Sequence, residues 1–243
     1  MQRFKNKVCL ITGATSGIGR AVAVQMGREG GCIAVLGRDV ADGRAVVSEI
    51  KAAGGEAIFV RVDVGRDASL QTAVQKVLDT WGRVDVLVSN AAMMTFKPLL
   101  KLAPKEWDEV MNVNLRALFR LTQLCLPHMK RGAIVAVSSV HAHQTTPNVV
   151  PYAASKGAVE ALVRGLSLEI PHTHARINAV APGAVDTPML WSNPNVKSGK
   201  EKITGQVGTP NELAAAICFM ASPEANFVNG TTLVVDGGRL ASL

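Results

Sequence analysis

With 243 residues, 48% of them apolar and 19% charged, the chain is long enough for one domain with a substantial core. The formal charge of +7 raises a nucleic-acid reading, but Lys and Arg are scattered and one Tyr and six Phe leave little for base stacking, so the charge reads as a solvated basic surface. No apolar run has the length of a membrane span, and the polar lead "MQRFKNK" leaves no room for a signal peptide, so a cytoplasmic protein is expected.

In chain order, "KVCLITG" at 7–13 reads as a short apolar strand and is followed by a predicted helix from about Gly17 to Arg28. "CIAVLG" at 32–37 is a second strand, and "DVADGRAVVSEIKAAG" after it is amphipathic at helical spacing. The theme repeats through "EAIFVRVDV", "VDVLVSNAA", "GAIVAVSS", "ARINAVAPG" and "TTLVVDGG", with long helices expected around 104–130 and 150–171. Apolar character that runs on without alternating belongs to strands covered on both faces, hence to a parallel sheet with helices on each side. No Pro, Gly or Ser run marks a linker, so 1–243 is read as a single catalytic domain. The four cysteines, Cys9, Cys32, Cys125 and Cys218, lie apart in apolar contexts and read as reduced core residues.

In a doubly wound sheet, ligands bind beyond the carboxyl ends of the strands. Directly after the first strand stands "TGATSGIG", with Gly13, Gly17 and Gly19 placed for a tight turn, a close approach to a pyrophosphate and packing of helix on strand. Amide donors at the start of the following helix would face the anion, which points to a dinucleotide. Further along, Tyr152 and Lys156 stand four apart in "VPYAASKGAVEAL" and share one helix face, where an ammonium would pull the phenol's pKa down.

Together these motifs resemble the classical short-chain dehydrogenase/reductase family over almost the full length. The resemblance rests on "TGATSGIG", Asp63-Val64, "SNAA" at 89–92, Asn114 in "NVNL" and Ser139. It continues through Tyr152 and Lys156, thirteen and seventeen residues beyond that serine, and then Pro182-Gly183 and Thr187. It implies a single Rossmann-like doubly wound parallel sheet of about seven strands, with helices on both faces. "SNAA" replaces the family's usual Asn-Asn-Ala-Gly, yet Ser89 stays polar and Ala92 small, so cofactor binding is expected to survive.

The resemblance also assigns roles. A nicotinamide dinucleotide would be held by Gly13, Thr15, Ser16, Gly17, Ile18 and Gly19; by Gly37 and Arg38 after the second strand; and by Asp63 and Val64. Asn90, Ala91 and Ala92, the pair Tyr152 and Lys156, and then Pro182, Gly183, Val185 and Thr187 complete that set. Tyr152 would be the general acid and base, Lys156 would lower its pKa and bind the ribose, and Ser139 would polarise the carbonyl. Asn114 would hold a water connecting Lys156 to solvent. Alternation along the strand is expected to point the hydroxyls of Ser138 and Ser139 to opposite faces, and the thirteen-residue step to Tyr152 selects Ser139.

NAD-dependent relatives usually carry an acidic residue where Gly37 aligns. Its absence, with the fixed charge of Arg38 next to it, favours NADP(H), while NAD(H) with Asp39 on the ribose is the alternative. Substrate contacts are expected from Met93, Met94, Ser139, His141, Tyr152, Met189 and Trp191, with His143 also near and a mobile lid around 188–205. The histidine pairs at 141–143 and 172–174 lack companion ligands, so no metal is expected.

The expected function is interconversion of a secondary alcohol and a ketone on a small molecule, in a homotetramer, without nucleic acid or membrane. A 3-oxoacyl thioester reductase and a non-catalytic NADP(H)-binding sensor are the alternatives. The arginine that meets an acidic carrier protein in such reductases is not evident near His172 to His174.

Overall fold

The computed structural model describes residues 2–199, 202–203 and 205–241. Seven parallel strands form one sheet in the order β3-β2-β1-β4-β5-β6-β7: β1 (Val8–Thr12), β2 (Cys32–Gly37), β3 (Glu56–Arg61), β4 (Val86–Ser89), β5 (Gly132–Val137), β6 (Ala175–Pro182) and β7 (Thr232–Val235). Every residue of β1, β5 and β6 is buried, as uninterrupted apolar strands between two helical layers require.

One layer contains α1 (Gly17–Arg28), α2 (Val40–Ala52) and α9 (Pro210–Ala221), whose Val22, Met26, Val46, Leu213 and Ile217 pack with Ile11, Ile33 and Val135 of the sheet. On the other face lie α3 (Asp67–Trp81), the broken helix of α4 (Pro104–Met111) and α5 (Ala117–Cys125), and α6 (Val150–Glu169). There Leu70, Val74, Leu118, Leu121, Val159 and Val163 pack on Leu10, Leu36, Leu87 and Ile134. Two short helices, α7 (Pro188–Ser192) and α8 (Pro194–Lys197), follow β6. No described helix is long and apolar enough to cross a membrane.

The chain reverses direction across the sheet between β1 and β4, and the crevice beyond their carboxyl ends is where such folds take ligands. Two features differ from the sequence expectation. The helix expected over 104–130 is interrupted by a π-helical turn at Asn112–Arg116, and β3 stops at Arg61, leaving Asp63 and Val64 in the loop. Lys200, Glu201 and Thr204 of the expected lid lie outside the described residues.

Candidate active site

A cleft of about 790 Å³ runs along the carboxyl ends of the strands from Arg38 to Met189. Its floor is the turn after β1. Gly13 and Gly17 have φ of +63° and +52°, a backbone region that L side chains rarely adopt, and a Cβ on Gly13 would meet Asn90 Nδ2 at 2.8 Å. Asn90 fixes this turn by donating from Nδ2 to the Thr12 and Gly13 carbonyls at 2.9 and 3.2 Å. Thr12 Oγ1 accepts in turn from the Asn90 and Ala91 amides, both at 3.0 Å. Thr12 escaped sequence reading because a threonine ending a strand carries no motif.

Ser16, at the N-cap of α1, makes no side-chain capping bond, and no acidic residue stands in that helix's first turn. The exposed amides and the positive end of the helix dipole therefore face the cleft uncompensated, the chemistry a pyrophosphate needs. The residues present fit a dinucleotide. Gly19 does not line the cleft: a Cβ there would meet the Gly13 carbonyl oxygen at 2.3 Å, so its expected cofactor contact is corrected to a packing role.

Gly37 lines the cleft beside Arg38, where a Cβ would lie 2.4 Å from Thr15 Cγ2. Any side chain at this position, acidic or not, would displace Thr15. Arg38 is exposed and has no hydrogen bond or ion pair among the described residues, whereas the Asp39 carboxylate caps α2 by accepting from the Asp42 amide at 2.9 Å. Asp63 accepts from the Gly65 amide at 3.1 Å, and with Val64 it closes this end of the cleft.

At the other end the structure brings Ser139, Tyr152 and Lys156 together, all three buried. Lys156 Nζ donates to the Val137 carbonyl at 2.7 Å and lies 5.5 Å from the Tyr152 ring centroid. Burial pushes the lysine's pKa down to about 8. The tyrosine does not follow the expectation of a lysine-depressed value: burial raises it, and the hydrogen bond with Ser139 is what pulls the other way. Ser138 also faces α6, donating to Glu160 Oε1 at 2.8 Å, so the expected placement of the two serines on opposite faces is not seen: strand alternation ends with β5 at Val137.

Asn114 sits inside the π-helical turn. Its Oδ1 accepts from the Met93 amide at 2.8 Å, and its Nδ2 donates to the Met93 carbonyl at 3.0 Å and to Ser155 Oγ at 2.9 Å. Both Nδ2 hydrogens are thereby engaged and the loop after β4 is tied to the helix, while Oδ1 keeps one lone pair for a further donor such as the expected water.

Met93, Met94, His141 and Met189 line the cleft, joined by Leu190, Asn193 and Ile203 of the segment expected as a lid and by Arg239, which carried no sequence signal. His141 meets Tyr152 edge to face at 5.6 Å, and its Nδ1 lies 3.0 Å from Thr145 Oγ1. Two expected contacts are corrected. The Trp191 indole donates to Asp186 Oδ1 at 2.6 Å outside the cleft, and His143 lies 3.2 Å from Glu160 Oε2 instead of lining it. Pro182, Gly183, Val185 and Thr187 line the wall after β6, with Thr187 accepting from the Leu190 amide to cap α7.

Comparison with known proteins agrees with this geometry. A family model described as enoyl-(acyl carrier protein) reductase matches residues 13–239. The 3-oxoacyl-(acyl-carrier-protein) reductase FabG of Thermotoga maritima is 36% identical over 97% of this chain and 98% of its own length. A short-chain dehydrogenase from Burkholderia cenocepacia, solved in complex with NADP, superposes with a TM-score of 0.90 at 31% identity over 97% of this chain and 98% of its own. A 7α-hydroxysteroid dehydrogenase in complex with NADH and 7-oxo glycochenodeoxycholic acid gives 0.91 at 31% identity, covering 98% of this chain and 95% of its own. The chain belongs to the short-chain dehydrogenase/reductase family, the nicotinamide-dependent oxidoreductases that interconvert secondary alcohols and ketones by hydride transfer.

Proposed function

We propose that the protein is an NADP(H)-preferring carbonyl reductase and alcohol dehydrogenase acting on a small molecule with an apolar body. The observation that carries this reading is the convergence of the Ser139 hydroxyl, the Tyr152 phenol and the Lys156 ammonium at one end of a cleft whose other end offers Arg38, with the adjacent Asp39 carboxylate engaged in capping α2. The nicotinamide, when bound, supplies or accepts the hydride. This chain's residues do the rest.

Ser139 donates to the substrate oxygen and orients the carbonyl toward Tyr152. Because burial holds the phenol protonated, Tyr152 is set to give its proton to the developing alkoxide, and in oxidation it takes that proton back. Lys156, charged below about pH 8, supplies the positive charge that favours the resulting phenolate and donors for ribose hydroxyls. Met93, Met94, Met189 and Leu190 exclude water from the reacting end. Arg38 pairs with a 2′-phosphate. The same reading includes a cytoplasmic location and a homotetramer.

The test is absorbance at the nicotinamide band with NADPH and a panel of ketones and aldehydes, with Tyr152→Phe as control. Oxidation of NADPH by the unmodified protein and not by the variant is the expected result; none with any carbonyl leaves the chain a cofactor-binding sensor. The Thermotoga relative favours a second reading, reduction of 3-oxoacyl thioesters. A panel containing both free ketones and a 3-oxoacyl thioester separates the two by their kcat/KM.

A further inference from the structure

Glu160 is 4% exposed, and among the described residues no lysine or arginine lies within salt-bridge distance of it. A buried carboxylate is costly unless its oxygens are met, and here a serine and a histidine meet them. The Ser138 hydroxyl donates to Oε1 at 2.8 Å and also lies 3.4 Å from the Lys156 carbonyl oxygen; His143 Nε2 lies 3.2 Å from Oε2. Helical spacing places Glu160 one turn beyond Lys156 and two beyond Tyr152, on the same face of α6.

The contacts across from that face fall on three consecutive residues at the end of β5. Val137 accepts from Lys156, Ser138 donates to Glu160, and Ser139 lies near enough to Tyr152 for its hydroxyl to act on the phenol's pKa. Three positions four residues apart on the helix are thus tied one by one to three adjacent positions on the strand end. His143 extends the tie to the loop that carries His141 against Tyr152. The apolar contacts of Val159 and Val163 already dock α6 on the sheet, so the polar link is not needed for packing alone.

We propose that Glu160 is a positioning residue: held by Ser138 and His143, it sets the register between the helix bearing Tyr152 and Lys156 and the strand end bearing Ser139, and thereby the efficiency of proton transfer at Tyr152. This rests on the reductase reading above. A displacement of about 1 Å at such a site costs on the order of a hundredfold in rate.

Glu160→Leu keeps the volume and removes both links, while Glu160→Gln keeps an acceptor for Ser138. On a carbonyl that the unmodified enzyme reduces, Glu160→Leu should lower kcat about tenfold or more, with KM and NADPH affinity within about twofold and Tm undiminished. Glu160→Gln should restore most of kcat. A kcat for Glu160→Leu within about twofold of the unmodified enzyme overturns the proposal, as does a loss matched by an equal loss of NADPH affinity. Should Glu160→Leu not fold, Ser138→Ala carries the test: reduced kcat at unchanged Tm supports it, and unchanged kcat overturns it.

A second readout needs no substrate and separates failure of this proposal from failure of the reductase reading. Tyr152 is the sole tyrosine, so ultraviolet titration of the phenolate reports it alone. Its midpoint should rise in Glu160→Leu as the Ser139 hydrogen bond loosens. An unmoved midpoint counts against the proposed register whether or not a substrate has been found.

Discussion

At the scale of single residues, the proton, the charge and the phosphate contact are carried by three side chains that can be changed separately. Tyr152→Phe removes the transferable proton and little else, so turnover should vanish while NADPH affinity is retained. A positioned general acid contributes roughly 10²–10⁴-fold, and a variant keeping more than about a tenth of the rate would rule Tyr152 out of that role. Lys156 gives the pH dependence. Its pKa is lowered to about 8, so the charged form is present below that value and is lost as pH rises through it. For reduction, kcat/KM should therefore fall on the alkaline side of about pH 8, and a profile flat to pH 10 would detach Lys156 from catalysis. Arg38→Asp replaces attraction for a 2′-phosphate with repulsion. A charge-assisted hydrogen bond is worth roughly 1.5–3 kcal/mol, so NADPH binding should weaken on the order of tenfold to hundredfold, with NADH little affected. Fluorescence titration with the two reduced cofactors reads this without a substrate, and tighter binding of NADH than NADPH by the unmodified protein would reverse the assignment.

At the scale of elements, the π-helical turn between α4 and α5 is where Asn114 is presented to the loop after β4. Such turns frequently mark functional sites because they re-aim side chains within a helix. Asn114→Ala would remove the partner of the half-buried Met93 amide and carbonyl and of the buried Ser155 hydroxyl, which should cost about 1–3 kcal/mol. Denaturant unfolding gives the loss directly, and a change below about 0.5 kcal/mol would show that water replaces the amide without penalty. The strands and α1 were legible in the sequence because buried parallel strands read as unbroken apolar runs and the glycine turn announces the helix after it. Ser139, Tyr152 and Lys156 were legible because their spacing joins a strand end to a helix face. The π-helical turn was not, since one extra residue in a helix leaves no compositional trace. Trp191 and His143 were misplaced because nearness to the site in sequence does not show that Asp186 or Glu160 offers the side chain a partner elsewhere. Gly37 looked like a missing carboxylate and is also a position where a side chain would have to displace the Thr15 methyl.

At the scale of the whole molecule, apolar side chains exposed on the described residues include two surfaces suited to contact between copies of the chain. On one, Met111, Leu115, Phe119, Ala158 and Leu162 form an apolar groove across the outer faces of the broken helix and α6, with Phe119 41% exposed. On the other, β7 is the edge of the sheet, with Val234 40% exposed and Phe227 fully exposed shortly before it. Closed two-fold contacts use the same patch on both copies, and two distinct self-complementary patches generate a tetramer where one gives only a dimer. An unpaired sheet edge is also a liability that assembly removes. Light scattering should therefore give about four times the chain mass of 25.6 kDa. Phe119→Glu with Leu162→Glu places charges in the helical groove without touching the cleft, and should leave a dimer held by the β7 side that still binds NADPH. A monomer at micromolar concentration for the unmodified protein would sink the assembly, and a tetramer that survives both charges would move the contact away from the helical groove.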